Sequence, residues 1–217
     1  MKYFDDETFA FLRELKSHND RTWFTANKGR YERSVKEPML AFIGDAGPQL
    51  HKLSKQLVAD PKPVGGSMFR IYRDVRFARD KSPYKTHIGV HFPLGKGSAP
   101  GYYLHLEPRE CMVAAGMWNP ETSQLQQIRE AIAARPADWR KASGDLGEDE
   151  NALKRPPRGF DADHPMIEDI KRKSFTGSLR LSDKQMTGDD VMQTFVKTCK
   201  ELAPLMRFLA GAVGAKW

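Results

Sequence analysis

The chain has few cysteines, and this excludes a scaffold held together by disulfide bonds. Only Cys111 and Cys199 occur among its 217 residues. Two cysteines so far apart form neither a disulfide framework nor the paired motif of a structural zinc site. Each lies in an apolar, periodic segment, so both are predicted to be buried thiols that pack as small hydrophobic side chains.

Long apolar runs are also missing. No stretch approaches the ~18 consecutive apolar residues from which a transmembrane helix is recognised. The first residues, MKYFDDETF, contain acids where a secretory signal peptide has its apolar segment. The sequence therefore predicts a cytoplasmic protein without a membrane partner, and it indicates no oligomeric state.

Common catalytic and phosphate-binding motifs are absent as well. The chain contains no GxSxG nucleophile elbow and no HExxH zinc motif. Gly65 and Gly66 precede a strand-like run, but the GxxxxGK[ST] pattern of a phosphate-binding loop is missing. No cofactor is predicted, and no reaction can be assigned from motifs.

The chain has instead a basic stretch between two strand-like runs. Its formal net charge is +7, and residues 70–87 hold six Arg and Lys side chains against two Asp, a local balance of +4. Pro83 fixes its own φ and disfavours a helical conformation at Ser82, so residues 78–85 are predicted to form a constrained loop. Such a charge permits an anionic partner without identifying it.

The predicted fold class is α+β, with a central antiparallel meander sheet covered by helices from the N- and C-terminal regions. Period-two patterning is confined to the middle of the chain, from Met68 to Trp118, while helical spacing prevails towards both ends. We expect a single domain over residues 1–217. Phe175–Leu181 is a further candidate for an edge strand, and Pro93–Gly101 is a predicted turn.

Several segments resemble one known family. The stretch RIYRDVRFARDKSPYKTH, an early Trp23-Phe24, GYYLHLEP at 101–108, KRPPRGF at 154–160 and APLMRFL at 203–209 are similar to the hallmarks of DUF2461. This is a family of conserved hypothetical proteins with bacterial and fungal members. The resemblance spans nearly the whole chain and implies a single-domain α+β protein, but it supplies no reaction, substrate or cofactor.

Strand alternation predicts an apolar face for the first strand-like run, Met68–Phe77, because successive side chains point to opposite faces. Its core face would carry Phe69, Ile71, Arg73, Val75 and Phe77. Arg73 is the exception on that face, so it is predicted to be buried and paired with Asp80 or Glu107. Arg73→Met would then destabilise the protein by several kcal/mol, on the order expected when a buried charge loses its partner.

The opposite face is predicted to be polar. Its members come from three successive runs and are Arg70, Tyr72, Asp74 and Arg76; His87 and His91, with Gly89 leaving a gap; and Tyr103, His105 and Glu107. The register between the runs cannot be obtained from the sequence, so their clustering is a hypothesis.

The first functional interpretation is an anion-binding pocket. It would be catalytic if a histidine in it acts as an acid or a base. Guanidinium groups suit phosphate or carboxylate because they donate two parallel hydrogen bonds. The predicted ligand-binding residues are Arg70, Arg73, Arg76, Asp80, Lys81, Tyr84, Lys85, His91, Tyr103 and His105. The predicted catalytic residues are His87, Asp74 and Tyr72, with the imidazole as acid or base near neutral pH.

In its sharpest form, this hypothesis has four cations converging on one anionic group. They are Arg70, Arg76, Lys81 and Lys85, with Tyr72 and His87 beside them. Cations held together repel each other unless acids or a bound anion neutralise them. Two aspartates are too few, so an anionic small molecule is the predicted partner.

Nucleic-acid binding is one alternative. Aromatic residues alternate with basic ones as they do on stacking surfaces, namely Phe69, Tyr72, Phe77 and Tyr84. Against this, two of these rings, Phe69 and Phe77, fall on the expected core face.

A metal site and a purely structural role also stay open. His87 and His91 would lie ~13 Å apart along a strand, too far to share one ion. A cross-strand set such as His91 and His105 with Glu107 or Asp74 is possible, although no metal is predicted. The plainest alternative is a charged surface on a non-catalytic interaction protein.

Overall fold

A computed structural model describes residues 1–95 and 100–217 of the chain. The predicted turn at Pro93–Gly101 therefore lies partly outside the described residues. The elements, in chain order, are α1 Asp6–Ser17, α2 Arg21–Tyr31, a π-helical segment Glu32–Lys36, α3 Glu37–Leu50, β1 Ile88–Pro93, β2 Gly101–Leu106, β3 Met112–Met117, α4 Thr122–Ala134, α5 Pro136–Ala142, α6 Ile167–Ile170, β4 Phe175–Arg180, α7 Asp183–Met186, α8 Val191–Glu201 and α9 Ala203–Ala212.

Within the described residues, the strands form one antiparallel sheet in the order β1-β2-β3-β4. Leu104 of β2 pairs with Val90 on one side and Val113 on the other, and Val113 pairs in turn with Leu179 of β4. The predicted α+β class, with a meander sheet and helices from both terminal regions, is confirmed. The candidate edge strand at 175–181 is confirmed as β4.

The predicted first strand, Met68–Phe77, is wrong. This segment meets β1 through an isolated bridge between Met68 and Val90 and then leaves the sheet as an irregular hairpin, in which Tyr72 pairs with Tyr84. We call residues 69–85 the basic hairpin. Its aspartates bond their own backbone two residues on, because Asp74 accepts from the Arg76 amide and Asp80 from the Ser82 amide. Such local turns compete with a strand ladder.

The predicted core face of that segment is also wrong. Phe69 is 46% exposed and Phe77 is 96% exposed, whereas Ile71 is buried. The basic hairpin is held to the body of the protein at Tyr84, which stacks on Phe24 of α2 at a ring distance of 4.1 Å. The Asn19 side chain donates to the Tyr84 carbonyl oxygen and accepts from its amide, at 3.0 and 3.1 Å.

Helices cover one face of the sheet. Phe92 of β1 packs against Phe195 of α8, and the Tyr102 hydroxyl donates to the backbone oxygen of Cys199 at 2.8 Å. Cys111 and Cys199 are buried free thiols, as predicted. No helix in residues 1–95 or 100–217 is long and apolar enough to cross a bilayer. Because the helices cover this face of the sheet, a ligand site is more readily formed on its other face.

Candidate functional site

The face of the sheet turned away from these helices carries the predicted histidines and tyrosine. The register pairs Gly89 with His105 and His91 with Tyr103, and alternation then directs their side chains to the same side. We call this side the open face. The sequence-based grouping of His91, Tyr103 and His105 on one polar face is confirmed by this register.

A cleft of about 670 Å³ lies on the open face. Small residues line much of it, among them Gly101, Ala114 and Ser178, and the exposed rings of Phe69 and Trp118 border it. His91 and Tyr103 provide polar groups within it. Small-molecule sites commonly have volumes of ~300–1,000 Å³ and few polar groups, so the cleft is large enough to bind a ligand.

Two glycines let the polar rings lie across the strands. A Cβ atom on Gly89 would come within 2.6 Å of the Tyr103 hydroxyl oxygen, and one on Gly101 would collide with His91 Nε2. The predicted gap at Gly89 is therefore filled by the Tyr103 side chain from the neighbouring strand. The rings hold their positions because the backbone beneath them has no side chain.

At one end of the open face, His87, His105 and Glu107 form what we call the His/Glu cluster. Glu107 Oε2 lies 3.2 Å from His105 Nε2 and 3.9 Å from His87 Nδ1. The two imidazole rings stack with centroids 4.3 Å apart. The cause is register: Ile88 pairs with Leu106, so His87 falls opposite Glu107 just beyond the ends of the strands.

Glu107 and His105 make further hydrogen bonds to residues around the cluster. Lys16 of α1 and the Thr86 hydroxyl donate to Glu107 Oε1 at 3.1 and 3.2 Å. Tyr103 Oη lies 3.2 Å from His105 Nδ1. Because a carboxylate only accepts, we assign the proton of His105 to Nε2, and the Tyr103 hydroxyl then donates to Nδ1.

Burial sets the protonation of these groups. Burial, and then the neighbouring His105, lowers the pKa of His87 to about 4. Burial also lowers the pKa of His91. For Glu107, burial acts to raise the pKa, but the hydrogen bonds from Lys16 and His105 outweigh it and the pKa lies below its ordinary value. Near neutral pH, His87 and His91 are uncharged and Glu107 is ionised.

The basic hairpin separates the remaining predicted site residues into two groups. In its outer part, Asp74 pairs with Arg76 at 2.6 Å and Asp80 pairs with Arg73, while Lys81 donates to the Val75 carbonyl oxygen at 2.9 Å. The Arg73–Asp80 pairing is confirmed. The predicted burial of Arg73 is wrong, because its side chain keeps 28% of its exposure and solvent reaches the pair.

Nearer the sheet, Lys85 donates to the Arg70 carbonyl oxygen at 2.9 Å and lies 5.5 Å from the centre of the Phe69 ring. Of the two hairpin tyrosines, Tyr72 is exposed, whereas Tyr84 is buried against Phe24. These contacts place the Lys85 side chain at the border of the cleft and tie it to the backbone of Arg70. Arg76 and Lys81 have their partners within the outer hairpin.

Three residues near the site were not among the predicted binding residues. Glu107 was placed on the polar face by alternation and was named as a possible partner of Arg73 and a possible metal ligand, but it was not among the binding residues, although its spacing of two from His105 is a usable signal. Lys16 reaches the cluster from α1 and Trp118 borders the cleft after β3. Their proximity depends on tertiary packing, which has no local sequence signal.

A family model described as conserved hypothetical protein (DUF2461) matches residues 7–208. No curated protein and no solved structure matches the chain. The family match confirms the resemblance of the sequence segments. It adds no ligand or reaction.

Proposed function

We propose that the chain, which belongs to the DUF2461 family of conserved hypothetical proteins, binds a small molecule bearing a phosphate or carboxylate group. In this proposal the acidic group contacts Lys85 and Arg70, and the rest of the molecule lies in the cleft on the open face. The observation that carries the proposal is the position of Lys85 beside Phe69, whose ring borders that cleft.

Charge in the basic hairpin supports an anionic ligand. Its two aspartates are taken by Arg76 and Arg73. Among residues 1–95 and 100–217, Lys85 has no carboxylate partner, and it donates a hydrogen bond to the backbone oxygen of Arg70. Burial, and then the like charge of Arg70, lowers the pKa of Lys85. An anion bound between these two cations would offset the free energy lost through the dehydration of Lys85 and its repulsion by Arg70.

The cleft supplies what the remainder of a small molecule needs. Phe69 and Trp118 offer apolar surface, and His91 and Tyr103 offer hydrogen-bonding groups at fixed positions. For turnover, we propose His87 as the general base, because burial, then His105 and, as a lesser cause, Lys85 lower its pKa and leave it uncharged near neutral pH. Tyr72 and Asp74 belong to the hairpin, and a catalytic role for them requires the ligand to reach that far.

A thermal-shift titration tests the binding proposal. Phosphate, sulfate, a dicarboxylate and a mononucleotide are added at constant ionic strength, and the proposal predicts a concentration-dependent rise in Tm by mass action. Lys85→Met should remove that rise. Lys197→Met, an exposed lysine on α8, is the matched control and should keep it. No rise with any anion, or equal rises in both variants, would contradict the proposal.

A second candidate is binding of single-stranded nucleic acid by the basic hairpin. The objection that Phe69 and Phe77 are core residues is removed, because both are exposed. The Arg76 guanidinium lies 5.9 Å from the Phe77 ring centre, and Tyr72 of the same hairpin is also exposed. Exposed rings among cations are the features that stack and neutralise a single strand.

Fluorescence anisotropy with a short labelled oligonucleotide distinguishes this candidate. Binding should weaken steeply with salt, and Phe77→Ala should weaken it further by removing a stacking ring. Val64→Ala, at another exposed apolar residue, is the control. If neither oligonucleotides nor small anions bind, the remaining alternative is a non-catalytic interaction protein.

We also propose a cytoplasmic location, since free thiols persist in a reducing compartment. Fractionation of cells that express the tagged full-length chain tests this. Recovery of the protein with membranes or in the secreted fraction would contradict it.

A further inference from the structure

The His/Glu cluster has the donor atoms of a metal site. His87, His105 and Glu107 each offer one ligand atom, and these atoms all lie within 4.8 Å of one another. Ligands bound at ~2.1 Å in tetrahedral geometry are separated by roughly 3.4 Å. The distances from Glu107 Oε2 to His105 Nε2 and to His87 Nδ1, 3.2 and 3.9 Å, bracket that value. Small side-chain rotations would therefore bring all three onto one ion.

The two oxygens of Glu107 have different environments. Oε2 faces both imidazoles, whereas Oε1 accepts hydrogen bonds from Lys16 and Thr86. A carboxylate ligand in proteins is usually held in this way, with one oxygen on the metal and the other fixed by hydrogen bonds. Lys16 neutralises Glu107 in the absence of an ion and, being largely exposed, can turn towards water when one arrives.

Tyr103 has a corresponding role for His105. Metal binding at Nε2 requires its lone pair, so the proton of a neutral His105 has to reside on Nδ1. The Tyr103 oxygen lies 3.2 Å from that nitrogen and can accept the hydrogen bond. Tyr103 Oη and His105 Nδ1 can therefore keep their hydrogen bond in both tautomers without moving. Tyr103 would then orient the His105 ring, as hydrogen-bond partners of metal-bound histidines commonly do.

We propose that His87, His105 and Glu107 bind one divalent transition-metal ion, with zinc as the representative ion. Two imidazole nitrogens and one carboxylate oxygen are a donor set that zinc and other late first-row ions accept. Three protein ligands leave at least one coordination position for water or a substrate oxygen. This differs from the cross-strand set that the sequence left open as a possibility, because His87 rather than His91 joins His105.

The metal proposal is independent of the anion proposal, but it changes one role. An ion on His87 takes the lone pair that a general base needs, so the two assignments for His87 exclude each other. It also adds a position at which an acidic ligand oxygen could bind.

The test uses the full-length chain after chelator treatment, titrated with Co²⁺ and followed by the visible absorption of the bound ion. Zn²⁺ competition then gives its affinity. We expect one ion per chain, and affinity at least ~10-fold lower in His87→Ala and Glu107→Gln. His91→Ala, on the same face and outside the cluster, should bind normally. Circular dichroism checks that each variant is folded, and the partly exposed His87 makes its variant the safest one.

Absence of stoichiometric binding would overturn the proposal. So would unchanged affinity in the folded His87→Ala variant, or equal losses in His87→Ala and His91→Ala. None of the tested anionic ligands is present in this titration, and the anion titrations are repeated on chelator-treated protein from which the chelator has been removed. Failure of the metal site is therefore distinguished from failure of the anion site.

Discussion

The open face and the basic hairpin contain similar polar residues but satisfy them differently. In the hairpin, aspartates bond residues two positions along the chain, as Asp74 does with Arg76, and these pairs stay in solvent. On the open face, Glu107 bonds Lys16 from a helix 91 residues away in sequence and is buried. Local partners keep a charge hydrated, whereas partners brought together by the fold dehydrate it.

This difference decides which side chains can have chemical properties that differ from those in water. Exposed ion pairs contribute little free energy, and in the hairpin the lowered pKa values of Asp74 and Asp80 come chiefly from hydrogen bonds made in contact with water. Dehydrated groups have shifted pKa values, and such groups occur preferentially at functional sites. The hairpin carries eight charged side chains in residues 69–85, whereas His87 and His91, whose pKa values burial lowers, lie on the open face, and the predictions below test that contrast.

The largest effect is expected at Gly116, on the open side of β3. Its φ is +131°, and a Cβ atom there would collide with the backbone carbonyl of Phe175 in β4. Gly116→Ala should lower the free energy of unfolding by about 3 kcal/mol or more, because strain and a backbone clash combine. Gly65→Ala is the control, since Gly65 also has positive φ but open space around it. Urea denaturation showing equal losses would contradict this reading of β3 and β4.

The next effect concerns the attachment of the hairpin. Asn19→Ala removes both hydrogen bonds to the Tyr84 backbone and leaves partly buried groups unpaired, at a cost of about 2 kcal/mol. Asp74→Ala, which breaks an exposed pair in the outer hairpin, should leave the urea midpoint unchanged. A midpoint that falls as much in Asp74→Ala as in Asn19→Ala would show that the outer hairpin is structurally important.

The sequence predicts faces better than partners. Alternation is a local rule, so it placed His87, His91, Tyr103 and His105 on one side correctly. Register is not local: a slip of two residues keeps every side chain on its face but replaces His87 by another residue opposite Glu107. This is why the sequence allowed His91 as the partner of His105 when the fold selects His87.

The hairpin was mispredicted for a different physical reason. Its alternating pattern favours a strand, but an aspartate that accepts a backbone amide two residues on stabilises a turn instead. Both Asp74 and Asp80 do so. The two aspartates were visible in the sequence as residues that favour such turns. In the fold, these turns prevail over the strand pattern that Phe69 and Phe77 indicated.

A smaller effect is expected from acid. Burial holds the pKa of His91 below its ordinary value, and the groups around it are the Phe69 and Tyr103 rings and the backbone of Gly101. As the pH falls below about 6.5, the unfolded chain binds a proton on this residue that the folded chain resists, so the free energy of unfolding decreases. His87 contributes in the same direction.

His91→Gln should therefore lose less free energy of unfolding than the parent chain when the pH falls from about 6.5 to about 5, the range in which an unfolded histidine becomes protonated. The comparison is made by urea denaturation at each pH. Ser178→Ala, which also lines the cleft but carries no group that titrates in this range, serves as the control and should follow the parent profile. A steeper profile in His91→Gln would mean that protonated His91 stabilises the fold.

The smallest effect is expected at Arg73, where the sequence predicted one of the largest. The pKa of Asp80 lies far below its ordinary value chiefly because the Ser82 hydroxyl and then the Ser82 amide donate to it, with Arg73 as a lesser cause. Removing the guanidinium thus leaves the carboxylate hydrogen-bonded and in contact with water. Arg73→Met should change Tm by less than ~2 °C, as for other solvent-exposed pairs.

Carboxyl-detected NMR titration should show a larger upward shift of the Asp80 pKa in Ser82→Ala than in Arg73→Met. The opposite order would mean that the ion pair, rather than the local turn, holds the carboxylate, and the hairpin would then resemble the open face more than its exposure indicates.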